Sequence, residues 1–303
     1  MDQQQLQYPK NIQTKGADSD GTTVYKTIDE LWEKEIEQNK DKQDNKWYTL
    51  ADDYWKTVEP TIEGMLGGLG YVSDKDVTTS NLFLEEFFQN KHGQTNQRPY
   101  TMKLNRGRAM DCGAGIGRVT EKLLVPLFDK VDLVEQNPTF LDQAKNIFKE
   151  FVLQRERERE KERELVEKKV ENYFAVGLQS HDFNKHAIKY DCIWIQWVIG
   201  HLHDKDFIEF LNNCADSLTD GGMIFIKDNV TAKKSFIMDK QDNSVTRSHD
   251  HLIFLFEQSN CQLVKSIVQP NFPKALLPVR LYALQPKPKQ NVSSPTTSST
   301  TSL

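Results

Sequence analysis

The stretch "MDCGAGIGRV", Met110 to Val119, decides how the chain is read. An apolar start leads to Asp111, and glycines then follow at alternate positions, Gly113, Gly115 and Gly117. Such a run describes a strand that ends, turns where glycine tolerates a tight backbone, and opens a helix. Outward from it the same alternation repeats. "RVTEKLLVPLF" reads as a helix, "VDLVE" as a strand, and "NPTFLDQAKNIFKEF" as a helix capped by Asn137 with Pro138 at its first position. In that helix Phe140, Leu141, Ala144, Ile147, Phe148 and Phe151 recur with the helical period, so one face packs on a sheet. "YDCIWIQ", "DKDFIEFLNNCADSL" and "GGMIFIKD" continue the pattern as strand, helix and strand, and "QLVKSIVQ" with "VRLYALQ" forms a hairpin closing a sheet edge. The expected fold class is α/β, a doubly wound, mostly parallel, Rossmann-like sheet.

The 303 residues suit one large domain with polar appendages. Residues 1–45 are rich in Gln, Lys, Asp and Glu and are expected to form a low-complexity, largely disordered tail, with a short helix around "TIDELWEKEIEQ". The folded domain is expected over 46–285, and 286–303 as a disordered tail rich in Ser, Thr and Pro. Within the domain, a charged helical insert is expected at 154–171; its Arg155–Glu164 run alternates basic and acidic residues and has nothing to bury. The formal net charge of -5 gives no basic field for nucleic acid or an anionic membrane, and a basic partner is easier to accommodate. No run approaches the roughly 20 apolar residues needed to span a bilayer. Cys112, Cys192, Cys214 and Cys261 show no metal-ligand spacing. Free thiols and the absence of an apolar signal core point to a cytoplasmic or nuclear protein with no metal site.

In open α/β sheets ligands bind outside the carboxyl ends of the strands, where Asp111, the glycine turn and Glu135 of "VDLVEQN" are expected to meet. A carboxylate at the second strand end accepts hydrogen bonds from a ribose. The spacing is tighter than the G-x-G-x-x-G that seats a pyrophosphate on a helix. S-adenosylmethionine, with a ribose, no phosphate and positive sulfonium and ammonium groups, suits such a site. "DCIWIQWVIGHLHD", Asp191 to Asp204, adds a second oddity: a buried strand through Ile195 passes into Gln196, Trp197 and His201 at the same end of the sheet.

Together "DCGAGIGR", "NYFAVGLQSHDF", "YDCIWIQWVIGHL", "IKDN" and "PTIEGMLGGLG" resemble, in order and spacing, the eukaryotic protein alpha-N-terminal methyltransferases, which modify amino termini of the Xaa-Pro-Lys or Xaa-Pro-Arg kind. The similarity spans about Tyr48 to Leu284. It implies a seven-stranded class I methyltransferase core with an amino-terminal helical extension over the substrate channel, and S-adenosylmethionine as cofactor. Gly113 and Arg118 would hold its methionine part; Glu135, Gln136 and Asn137 the ribose region; Leu178 and Gln179 the adenine; Gln196 the central segment. On the peptide side Trp55 would cap the channel, Trp197 would pack on the proline ring with Leu66, Gly67 and Val72, and Asp239 and Asp242 would receive the Lys or Arg. Ser244 would add a hydrogen bond, Asn229 would orient the first residue, and Asp228 would stand beside it. The implied partner is a protein with a free, basic Xaa-Pro-Lys or Xaa-Pro-Arg terminus left by removal of Met. Two residues depart from the family: Glu135 replaces an aspartate, and Leu277 in "NFPKALLPV" stands where relatives have a tyrosine.

The implied reaction is attack of a neutral α-amine on a sulfonium methyl. With a pKa near 7.7–8.0 that amine is partly neutral at pH 7.4, at a cost below ~1 kcal/mol, so a weak base suffices. His201 and Asp242 are both candidates. Two other functions fit the same residues: methylation of a small amine or metabolite, for which the two acids would be incidental, and a cofactor-binding scaffold without catalysis. Taken singly, Trp194 reads as core, and so would Trp197 and the acids as core and surface residues.

Overall fold

A computed structural model describes residues 6–12, 15–36, 46–88, 104–150, 169–185, 187–231 and 235–288. The strands are β1 (Gly16–Asp18), β2 (Val24–Tyr25), β3 (Arg108–Cys112), β4 (Lys130–Val134), β5 (Val170–Phe174), β6 (Tyr190–Gln196), β7 (Leu218–Asn229), β8 (Phe236–Asp239), β9 (Ser244–Thr246), β10 (Cys261–Val268) and β11 (Val279–Pro286). The helices are α1 (Ile28–Glu35), α2 (Lys46–Lys56), α3 (Ile62–Met65), α4 (Ser73–Glu85), α5 (Val125–Leu127), α6 (Pro138–Glu150), α7 (Asp204–Asp216) and α8 (His249–Gln258). Among the described residues seven strands form one sheet in the order β10-β11-β7-β6-β3-β4-β5. All its pairs are parallel except those made by β11, which runs antiparallel to both β7 and β10. The expected fold class and edge hairpin are both present.

Strand β6 shows why the sheet is buried on both faces. Ile193 and Ile195 pack on one side with Phe207, Phe210 and Leu211 of α7 and Leu252 and Leu255 of α8. Cys192 and Trp194 pack on the other with Phe83 of α4 and Leu141, Ala144 and Phe148 of α6. Period-two alternation therefore feeds two cores, the pattern of a sheet covered by helices on both sides. Trp194 is core, as read, and stacks on Phe225 at 5.9 Å between ring centroids.

The glycine turn also forms as read. Gly113 and Gly115 take φ of 69° and 54°, and a Cβ at Gly113 would lie 2.7 Å from Val198. Bulkier residues there would meet both backbone strain and a clash. After the turn the helix opens as a π-helical stretch, Thr120–Leu124, and continues as α5. Asn137 caps α6, its Oδ1 accepting from the Thr139 N–H at 3.0 Å, with Pro138 first in the helix.

The amino-terminal reading needs correction. Part of the 1–45 tail is folded: β1, β2 and α1 bury Tyr25, Ile28, Leu31 and Trp32 against Phe236, Met238 and Trp47. β1 joins β8 in parallel inside a second sheet of order β2-β1-β8-β9. Its strands are two to four residues long, too short for alternation to show in sequence. Residues 1–5, 13–14 and 37–45 lie outside the described residues, as do most of the charged insert and the carboxyl-terminal tail from 289. The insert's last two positions, Val170 and Glu171, belong to β5 instead.

Candidate functional site

The order of the large sheet reverses between β3 and β6, the point where an open α/β sheet leaves a crevice. Two cavities meet there. The first opens beyond the ends of β3, β4 and β6. Gly113, Arg118, Glu135, Gln136, Leu178, Gln179 and Gln196 line it, so seven of the eight cofactor positions named from sequence share one chamber. The second is lined by Trp55, Leu66, Gly67, Val72, Trp197, His201, Asp228, Asn229, Asp242 and Ser244. Trp55, Met65, Leu66, Trp197 and His201 belong to both, forming the common wall.

Two residues stand elsewhere than expected. Asn137 is buried behind the first chamber, donating from Nδ2 to the Trp55 carbonyl at 3.3 Å and from its backbone to Glu135 Oε1 at 2.8 Å. Its side chain is spent on capping α6 and holding α2. Asp239 is absent from either wall; it ends β8 and its Oδ1 accepts the Gln241 N–H at 2.9 Å, so it shapes the hairpin that presents Asp242. Leu277 does reach the second chamber, which places its departure from the family pattern on that wall.

In the first chamber Glu135 accepts from the Gly115 N–H at 3.0 Å and from Asn137, which fixes its carboxylate at the end of β4. Burial pushes its pKa up, against those same amides. Asp111 is also buried, pushed up to about 6, and accepts from Thr120 Oγ1 at 2.6 Å. Two acids and one cation, Arg118, in a chamber with no phosphate cradle match the donor set that S-adenosylmethionine requires: acceptors for a ribose and an ammonium, and a guanidinium for a carboxylate. Among the described residues no group of three His, Cys, Asp or Glu is placed to hold a metal ion.

In the second chamber His201 is the centre. Its Nδ1 lies 3.3 Å from the Asn243 carbonyl, and its Nε2 receives the Trp55 indole N–H at 3.0 Å. A carbonyl on one nitrogen and a donor on the other select the neutral tautomer protonated at Nδ1. Burial lowers its pKa, and the charge of nearby Asp242 offsets only part of this. Burial raises Asp242, whose Oδ1 accepts from Ser244 Oγ at 2.6 Å. Asp228 is pushed up to about 7 by burial; Oδ1 accepts the Asn229 N–H at 2.7 Å, and the buried Oδ2 has no partner among the described residues. Trp197 leaves β6 with φ of 52°, a left-handed backbone rare outside glycine, which swings the indole away from the strand's course. Its buried Nε1 also lacks a partner among the described residues.

Several wall residues were not singled out from sequence. Met65 and Tyr48 line the first chamber, and the Tyr48 hydroxyl is hydrogen-bonded to Asp206. Met65 lies inside the "PTIEGMLGGLG" segment already noted, so the glycines around it were an available signal.

Comparison with known proteins agrees with this geometry. The AdoMet dependent proline di-methyltransferase family matches residues 43–285. The chain is 54% identical over 284 residues to "Alpha N-terminal protein methyltransferase 1" of Dictyostelium discoideum, covering 93% of this chain and 95% of that one. It is 38% identical to "N-terminal Xaa-Pro-Lys N-methyltransferase 1" of Homo sapiens, covering 80% and 97%. A solved SAM-dependent methyltransferase of Leishmania major superposes with a TM-score of 0.73 at 33% identity, covering 93% of this chain and all of that one. The seven-stranded sheet, the paired chambers and these relatives place the chain in the AdoMet dependent proline di-methyltransferase family.

Proposed function

We propose that this protein transfers methyl groups from S-adenosylmethionine to the free α-amine of proteins whose amino terminus reads Xaa-Pro-Lys or Xaa-Pro-Arg. The observation that carries the reading is the common wall: two chambers separated by Trp55, Met65, Leu66, Trp197 and His201 suit a donor on one side and a chain end on the other. When bound, the cofactor supplies an electrophilic methyl on sulfur. Glu135 and Gln136 would hold its ribose, Leu178 and Gln179 its adenine, Gly113 and Arg118 its methionine part, and Gln196 its central segment.

This chain's residues align the amine and manage its proton. Trp197 and Leu66 give the proline ring an apolar berth, and Asn229 with Ser244 orients the first residue. The acids of the β8–β9 hairpin, Asp242 at the wall and Asp239 behind it, favour a cationic third residue, a modest contribution where solvent screens them. Bond formation to carbon leaves the nitrogen positive, and a proton must leave before another methyl is accepted. His201 is already neutral near pH 7 because it is buried, so Nε2 can take that proton once the Trp55 N–H gives way. Asp242 stabilises the imidazolium that results. Holding the two centres in line accounts for most of the expected acceleration.

Four buried free cysteines support a reducing setting, and we keep a cytoplasmic or nuclear location as part of the same proposal. The test is methylation of a Ser-Pro-Lys peptide read by mass spectrometry, beside the same peptide acetylated at its terminus. Mass gain is expected for the free peptide alone; equal gain on the acetylated one would remove the α-amine as acceptor.

A further inference from the structure

Helix α4 carries an acid where its sequence, "SDKDVTTSNLFLE", reads as a solvated first turn, yet Asp76 is 1% exposed. Its carboxylate is held from three sides. Arg118 Nη1 lies 2.8 Å from Oδ2, Gln196 Nε2 donates to both oxygens at 2.9 Å, and Lys227 Nζ pairs with Oδ1. Lys227, fully buried, also donates to the Asp76 carbonyl and to Ser80 Oγ, each at 2.9 Å. Gln196 is locked from behind, its Oε1 accepting from Trp194 Nε1 at 2.9 Å, and Ser73 Oγ lies 3.3 Å from Arg118. Arg118 and Gln196 are wall residues of the first chamber, whereas Asp76 and Lys227 are not. The backbone carbonyl of Lys227 accepts the Trp197 N–H at 3.0 Å, so the same cluster also steadies the wall between chambers.

We propose that Asp76 is a positioning residue: with Gln196 it fixes Arg118 so that the guanidinium receives the amino-acid end of the methyl donor, making tight binding depend on that end. The proposal rests on reading the first chamber as the S-adenosylmethionine site. A buried side chain with several donors converging on it holds their geometry, and loss of its charge frees a guanidinium that otherwise has one pose. Within the cluster two cations face one carboxylate, which leaves room for a second anion from a ligand. The acids of the chamber itself are bonded to other groups than this cluster, Asp111 to Thr120 and Glu135 to backbone amides. Replacing Asp76 by Asn changes position more than charge. Burial already draws the Lys227 pKa down to about 8, and without its acid partner that ammonium gives up its proton.

The test compares two ligands on the full chain by calorimetry. S-adenosylhomocysteine has the amino-acid end; 5′-methylthioadenosine has the adenosine and sulfur without it. In Asp76→Asn the affinity for S-adenosylhomocysteine is expected to fall tenfold or more, and that for methylthioadenosine to change less than twofold. Asp76→Glu, which keeps the charge and displaces it by a methylene, should lose part of the same selectivity, and it decides the matter alone if Asp76→Asn does not fold. An unchanged ratio of the two affinities, through equal loss or no loss, overturns the proposal. Wild-type protein that binds neither ligand would instead overturn the cofactor reading beneath it.

Discussion

The indole N–H of Trp55 lies 3.0 Å from Nε2 of His201, so the lone pair that would take a proton from substrate already accepts a hydrogen bond. A donor on that nitrogen favours neutral imidazole and adds to the effect of burial. Trp55→Phe keeps an aromatic wall and removes the donor. The acid limb of the pH–rate profile for peptide methylation is then expected to steepen at its low end, because His201 protonates at a higher pH, though still below the substrate amine. Trp55→Ala opens the common wall as well and should lower kcat/KM by more than tenfold; steady-state kinetics from pH 5.5 to 9 check both.

His201 and Asp242 are coupled by charge, one drawn down and the other pushed up by burial. With the base already neutral, kcat/KM should rise with pH and level off following the substrate α-amine, near 7.7–8.0, rather than near 6.5. His201→Ala is expected to cost roughly 10²–10⁴ in turnover. Asp242→Asn should cost less, and the double variant less than the product of the two losses, as for groups that share one task.

Trp197 sits on the boundary with its backbone held in a left-handed conformation. Trp197→Ala should raise the KM for a Ser-Pro-Lys peptide about tenfold or more, the scale of a lost aromatic contact in a desolvated pocket. The affinity for S-adenosylhomocysteine should change less than threefold. Parallel loss of both would assign the indole to the cofactor instead.

Asp228 trades stability for its place in the site. Its pKa is lifted to about 7 by burial, so between pH 4 and 7 the folded state holds a proton that the unfolded chain has released. Stability from this group therefore falls as pH rises through that window, and the penalty, on the order of 4 kcal/mol at full size, is complete above pH 7. Asp228→Asn keeps an acceptor for the Asn229 N–H and removes the charge. It should gain stability in urea melts, more at pH 8 than at pH 5, while peptide turnover drops.

The large sheet was readable because β3, β4 and β6 are apolar runs each followed by a helical period, and β7 is an apolar run opened by Gly221 and Gly222. β5 was not, since "VENYF" is half-exposed and adjoins the charged insert. Most of the chamber walls could be named because their motifs sit at strand ends, where the fold brings them together. Asp76 could not: a helix-start acid looks solvated until Lys227, 151 residues away, is seen against it. That Asn137 and Asp239 stand behind the chamber walls was not legible for a related reason. Sequence fixes their neighbourhood, and local hydrogen bonds to Thr139, Glu135 and Gln241 decide where each side chain points.

The parallel pairing of Gly16–Asp18 with Phe236–Met238 also bears on where the protein can be cut. The family match begins at residue 43, a natural starting point for a trimmed expression version. Trimming there would strip one neighbour from the hairpin that carries Asp242 and Ser244 and expose Phe236 and Met238 to water. A shortened protein would keep every residue of both chambers and still present its acidic hairpin on an open, sticky edge. Weak peptide binding or clumping by such a version would report on a missing brace, and the two should be separated before any loss of activity is ascribed to the chemistry.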